Sequence, residues 1–138
     1  MRSTTVKIRY YETDMMGIMH HTNHLRLFEL GRVEYLREAG IDLLELMAMD
    51  IVTPIRNVEC HYKATATFDD FIRIETSIHK VSPAQVTFTY RLVREKDEAL
   101  IATGKTQNAF MYGKTGKIAK LPVALYENLL KMAQEDLA

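Results

Sequence analysis

Four side chains capable of acid–base work crowd one short stretch. Asp14, His20, His21 and His24 all lie within Tyr10-Tyr11-Glu12-Thr13-Asp14-Met15-Met16-Gly17-Ile18-Met19-His20-His21-Thr22-Asn23-His24. Asp14 is the only acid between Glu12 and Glu29, and a helical pattern begins shortly after it. The first turn of a helix presents free N–H groups with partial positive charge, which favour an ionised carboxylate and can hold an oxyanion. One location thus offers a base or nucleophile together with support for a carbonyl oxygen, the two requirements of acyl transfer. The same spacing fits an Asx-type turn residue or a distant cap, and spacing alone leaves both readings of Asp14 open. His20 and His24 are four residues apart, and His21 and His24 three, which raises a metal site completed by Asp14. The first two histidines fall in the turn and at the cap, however, not on one helical face, and no second cluster of ligands lies nearby. No metal and no cofactor is therefore expected, and the imidazoles read as solvated or substrate-orienting groups.

The remaining signatures are weaker. Two Gly-Lys-Thr triplets, at Gly104 and Gly113, invite a phosphate loop, but that pattern needs a glycine five residues before each Gly-Lys pair. Those positions hold Ala99 and Asn108. No Gly-x-Ser-x-Gly elbow occurs. Cys60, the only cysteine, belongs to an alternating apolar face and is expected in the core. Met15, Met16, Met19, Met47 and Met49 read either as core packing or as the lining of an adaptable apolar pocket. Lys63, Lys80 and Arg91 are strand residues, either solvated or in contact with phosphate.

The elements that must position these residues follow from periodicity. Val6, Ile8 and Tyr10 alternate with Lys7, Arg9 and Tyr11, which predicts a half-buried strand from Thr4 to Tyr11. A turn from Glu12 to His21 follows, with Gly17 free to adopt a left-handed backbone. Thr22 or Asn23 can cap a helix running to about Ala39, stopped by Gly40. Its apolar positions Leu25, Leu27, Phe28, Leu30, Val33 and Leu36 predict burial on a broad front. Gly31 within it costs about 1 kcal/mol relative to Ala, so something must pack closely there. Asp42 with Glu45 predicts a short capped helix through Met49. Four strands follow. Val58, Cys60, Tyr62, Ala64 and Ala66 share a face in the first; Ile72, Ile74, Thr76 and Ile78 in the second; Val86, Phe88, Tyr90 and Leu92 in the third. The last covers Leu100 to Tyr112 and ends in a tight turn at Lys114-Thr115-Gly116-Lys117. Pro122 opens a terminal helix. The fold class is α+β: one long helix on a strongly curved antiparallel sheet, in a single domain spanning 1–138.

Composition bounds the partners. With 47% hydrophobic and 26% charged residues the chain reads as a soluble folded protein. Lys plus Arg equals Asp plus Glu at 18 each, which argues against nucleic acid. The N-terminus has no signal-like apolar region, and no stretch approaches the roughly 20 apolar residues of a membrane span. With a lone cysteine, a cytoplasmic location is expected.

The stretch from Val6 to His24 resembles the N-terminal signature of the hotdog-fold acyl-CoA thioesterases of the 4-hydroxybenzoyl-CoA thioesterase type, a group that includes the Tol-Pal-associated thioesterases. The likeness continues through Glu29, Arg32 and Tyr35, through Tyr62-Lys63-Ala64-Thr65-Ala66-Thr67-Phe68-Asp69-Asp70, and through Ala102-Thr103-Gly104-Lys105-Thr106 and Leu121-Pro122. Thr65 stands where the family usually has proline. The resemblance implies a hotdog fold and hydrolysis of an acyl-CoA thioester to free acid and CoA. It makes Asp14 the general base or nucleophile and the backbone N–H at His21 the group polarising the thioester carbonyl. The His21 and Tyr10 side chains would assist, with Gly17, Thr22 and Asn23 as substrate-binding positions. The aromatic residue that the aromatic-substrate branch carries at the His21 position is absent, which implies aliphatic or unspecified acyl groups. It further implies a homodimer or homotetramer with active sites at subunit interfaces. The rival reading is a non-catalytic acyl-CoA or fatty-acyl binding module on the same fold.

Overall fold

Val86, Phe88, Tyr90 and Leu92 alternate along one strand and are each no more than 2% exposed, so this strand runs through the core. The computed structural model of the chain describes residues 1–137. In chain order the elements are β1 (Arg2–Lys7), α1 (Asn23–Glu38), α2 (Leu43–Ala48), β2 (Ile51–Val52), β3 (Ile55–Tyr62), β4 (Phe71–Ser82), β5 (Gln85–Arg94), β6 (Ala99–Ala109), β7 (Met111–Tyr112) and α3 (Val123–Leu137). Five strands form one antiparallel sheet in the order β1-β4-β5-β6-β3, while β2 pairs with β7 in a separate ribbon. Register shifts in the β3–β6, β4–β5 and β5–β6 pairs mark bulges that bend the strands. This is the α+β architecture expected, a curved sheet around one long helix.

The helix docks through small residues. Phe28 of α1 stacks on Tyr90 with ring centroids 4.5 Å apart and lies over Gly104 of β6. A Cβ at Gly104 would stand 2.2 Å from the Phe28 ring. One turn on, a Cβ at Gly31 would stand 2.4 Å from Thr76 Oγ1 and 2.7 Å from Ile74 Cγ2. The close packing expected at Gly31 is therefore present, and its partner is β4. The glycine of the first Gly-Lys-Thr triplet likewise answers to packing.

Burial of α1 is narrower than its composition suggests. The buried positions His24, Leu27, Phe28, Gly31, Tyr35 and Leu36 follow the three-and-four spacing of one stripe. Leu25 and Leu30 remain 37% exposed, because the sheet covers one side of the helix only. The far end of α1 is tied to α3: the Tyr35 hydroxyl donates to the buried Asp136 carboxylate, which also accepts from the Ile78 amide at 2.9 Å and from the N-terminal ammonium. Burial favours the protonated carboxyl, but these donors prevail and hold Asp136 below the usual carboxylate range.

Other boundaries differ locally. The first strand ends at Lys7, and Tyr10–Glu12 forms a single 3-10 turn. Glu12 reaches back to the Arg9 amide at 2.8 Å and closes that turn, so Tyr10 points outward and is 76% exposed. Asp42 caps α2 as expected, accepting from Leu44 N at 2.9 Å. The last strand breaks at the buried Phe110, whose amide donates to Ala84 O at 2.8 Å. Cys60 is only half-buried, because β3 is the sheet edge and its inner face is incompletely covered. Burial nonetheless pushes its thiol up.

The Gly104 contact can be tested directly. Gly104→Ala is expected to lower stability by about 1–3 kcal/mol, read as a fall in the thermal midpoint. Adding Phe28→Leu should make the double variant less destabilised than the sum of the two single changes.

Candidate active site

Asp14 sits in a tight loop that the chain closes on itself. Its amide donates to Ile18 O at 3.0 Å, its carbonyl accepts from Gly17 N at 2.9 Å, and Thr13 bridges to Met19. Gly17 has φ +78°, a conformation in which other residues are strained. One carboxylate oxygen of Asp14 accepts from Met16 N at 2.9 Å, an Asx turn, and Oδ2 makes no hydrogen bond among the described residues. The two readings left open by spacing are thus compatible, because one oxygen shapes the turn while the carboxylate also lines a pocket.

That loop is fastened on both sides. Met19 N donates to Ala66 O at 2.7 Å, and His20 N to Glu12 O at 2.9 Å. Ala66 is held in turn by Asp70, whose buried carboxylate accepts from Thr67 N at 2.8 Å and Thr67 Oγ1 at 3.1 Å, with Lys96 at 3.4 Å. Burial pushes Asp70 up, but the Thr67 and Lys96 donors outweigh it and leave its carboxyl below the ordinary value.

The pocket beside Asp14 has a volume of about 180 Å³. The loop contributes Met16, Ile18 and Met19 to its wall, the turn before α1 contributes His21 and its first turn His24, and the end of β3 contributes Tyr62 with Ala64 to Ala66 beyond it. Of Met15, Met16, Met19, Met47 and Met49, Met16 and Met19 line this space, and all but Met19 are exposed. Ligand pockets usually measure about 300–1,000 Å³, so this one admits only the reacting end of a larger molecule.

Neither Thr22 nor Asn23 caps α1 with its side chain. Thr22 already has helical backbone angles, and its amide donates to His20 Nδ1 at 3.3 Å, so an imidazole takes the capping role. Asn23 is buried, and its Nδ2 donates to Glu12 O at 2.8 Å, fastening the loop to the helix. Tyr10 lies apart from the pocket, with its ring edge-on to Phe68 at 5.6 Å.

The fold brings in two residues to which the family resemblance gave no role. His24 is 4% exposed and lines the pocket, with Nδ1 donating to His21 O at 3.1 Å. Nδ1 must carry the proton to donate to a carbonyl, which leaves Nε2 as an acceptor on the neutral ring. Burial pushes its imidazole below the usual value, against the opposing pull of the His21 carbonyl. Tyr62 reaches across from β3 and donates its hydroxyl to the same carbonyl at 2.7 Å. In the sequence His24 stood only as a member of the histidine cluster, and the meeting of α1 with β3 makes it a pocket wall. Of the three cations considered for phosphate, Arg91 pairs with Glu75 at 2.7 Å, Lys80 lines a groove with Gln85 and Gln107, and Lys63 directly follows Tyr62. Among the described residues no group of three or more His, Cys, Asp or Glu is arranged to hold a metal ion, and no helix is long and apolar enough to cross a membrane.

One long helix against a curved antiparallel sheet is the hotdog architecture, and Asp14, His21 and His24 line one pocket beside the start of that helix. Residues 8–129 match the model of the thioesterase-like superfamily, and the chain belongs to that superfamily and is an enzyme of the thioesterase class. It is 33% identical to the acyl-CoA thioesterase YbgC of Haemophilus influenzae over 95 residues, covering 67% of this chain and 68% of that one. It is 30% identical to the acyl-CoA thioester hydrolase YbgC of Escherichia coli O6:H1, over 69% and 71% of the two chains. Among solved structures, the protein TT1821 of Thermus thermophilus superposes with a TM-score of 0.87 at 29% identity, over 94% of this chain and 98% of that one. The DHNA-CoA thioesterase of Staphylococcus aureus shares the fold with a TM-score of 0.87 at 24% identity, over 96% and 93%.

The strap under the pocket has a pH signature. Asp70 has a depressed folded value, so its contribution is complete above the unfolded value of about 3.9 and disappears as pH falls through the folded one. Asp70→Asn should therefore destabilise the protein fully at pH 7 and progressively less below about pH 4. Chemical denaturation of both proteins across that range measures the difference.

Proposed function

We propose that the enzyme hydrolyses an acyl-CoA thioester to a free carboxylic acid and CoA. The observation that carries this reading is the Asp14 carboxylate, with one oxygen unpartnered among the described residues, in a pocket it shares with His21 and His24 at the start of the helix. Asp14 acts either as general base on a water or as nucleophile through an anhydride. The His21 amide polarises the thioester carbonyl and holds the tetrahedral oxyanion. That role is supported by the environment of this amide, which donates to no acceptor among the described residues, whereas the Thr22 and Asn23 amides are both satisfied by His20. Gly17 shapes the loop. Asn23 fastens it, and Tyr10 takes no part in this reading. The apolar wall of Met16, Ile18 and Met19 suits an aliphatic acyl group. The lone thiol is compatible with a cytoplasmic protein.

The reading extends to assembly. β3 is a sheet edge of eight residues, exposing Ile55, Val58 and Tyr62 by 41%, 45% and 49%. Such an edge is a template for pairing with another chain. A homodimer or homotetramer built on it would complete the small pocket from a second copy, so that active sites lie between subunits.

Asp14→Asn should lower kcat by about 10²- to 10⁴-fold in a thiol-release assay across a panel of acyl-CoAs, with the thermal midpoint little changed. Full activity in that variant would overturn the role of Asp14, and binding of acyl-CoA without thiol release by the unaltered protein would establish a binding module instead. Single turnover in ¹⁸O-water separates the two mechanisms: label enters the product acid directly with a general base, and enters the Asp14 carboxylate first with a nucleophile. Light scattering should give the mass of two or four chains, and Val58→Lys should shift it toward one while reducing activity.

A further inference from the structure

Two side chains from different elements converge on one backbone oxygen beside the pocket. The Tyr62 hydroxyl donates to His21 O at 2.7 Å, and His24 Nδ1 donates to the same atom at 3.1 Å. Their rings meet edge-on, with centroids 4.6 Å apart and planes at 88°. On the other side of His21, the carbonyl of His20 accepts from Asn23 N at 2.9 Å. Both peptide groups flanking the His21 Cα are thereby pinned, which fixes its two backbone dihedrals and the direction of its N–H. Turns before a helix are ordinarily free to adjust, and a donor must already point at the developing charge to be effective in catalysis.

We propose that Tyr62 and His24 are positioning residues that clamp the His21 carbonyl and so aim the His21 amide at the thioester oxygen. This rests on the reading of His21 given above. The hydroxyl of Tyr62 is the longer reach of the two, spanning from the last residue of the edge strand to the helix start. His24 supplies the second hydrogen bond from within the first turn of α1, and its ring buttresses the phenol. Neither side chain transfers a proton in this scheme, and both hydrogen bonds persist throughout turnover.

The test uses the full chain with Tyr62→Phe, which keeps the ring and removes the hydroxyl. One net hydrogen bond corresponds to a roughly 3- to 10-fold loss, expected in kcat with KM unchanged. A spectroscopic probe reads the aim of the amide itself. A ketone analogue of butyryl-CoA, with CH2 in place of the thioester sulfur, binds without being hydrolysed. Its carbonyl stretch should move to lower frequency on the unaltered protein and return toward the solution value on Tyr62→Phe and on His24→Phe. An unaltered protein that hydrolyses butyryl-CoA and shifts the stretch, alongside variants that match it in both kcat and frequency, would overturn the clamp while leaving the proposed function standing. No hydrolysis of any acyl-CoA in the panel by the unaltered protein would overturn both. If Tyr62→Phe does not fold, His24→Phe bears the same two readouts.

Discussion

The close contact between α1 and the sheet, where Phe28 lies on Gly104 and Gly31 lies on Ile74 and Thr76, is the constraint on which the rest of the molecule depends. Two absent side chains, on opposite partners, let a helix and a sheet approach nearer than ordinary side chains allow. The contact is specific in register, because a one-turn shift of the helix along its axis would present His24 or Gly31 to Gly104 in place of the flat Phe28 ring. It tolerates a buried Thr76 hydroxyl with no hydrogen-bond partner among the described residues, which indicates how strongly the packing is favoured.

Fixing the axis of α1 fixes its N-terminus relative to the strand ends. His21 and His24 come to lie beside Tyr62 because Phe28 is anchored one turn further along. The Asp14 loop is then attached from outside, through Met19 to Ala66, through Asn23 to Glu12, and through the Asp70 strap beneath. The site is consequently an assembly of two stretches far apart in sequence, residues 14–24 and 62–66, held together by hydrogen bonds between them. The bare edge of β3 leaves one side of this assembly open, with Val58 and Tyr62 about half exposed.

Much of this was legible beforehand in particular residues. The alternation of Val86 to Leu92 marked a core strand, Asp42 marked a capped helix, and Gly31 in a helix marked a close approach. Asp14 and Gly17 stood out as a lone acid and a turn-forming glycine before a helix, although spacing alone left the role of Asp14 open. Less legible were features decided by side-chain reach. Tyr10 read as strand-inward until Glu12 turned back to the Arg9 amide, and the helix cap read as Thr22 or Asn23 although the His20 ring provides it. Alternation also implied a buried Cys60, since a pattern shows which face a residue shares and says nothing of whether that face is covered.

By itself the sequence determined the elements, their order and the family, and singled out Asp14 as a candidate, because periodicity, turn chemistry and short motifs are local properties of the chain. Only the tertiary structure decided that His24 is a pocket wall, that Tyr62 and His24 share the His21 carbonyl, and that Tyr10 stands outside. The physical reason is that a hydrogen bond is specified to within a few tenths of an ångström. His21 and Tyr62 are 41 residues apart in the chain, and their distance is set by how closely one helix can lie on one sheet.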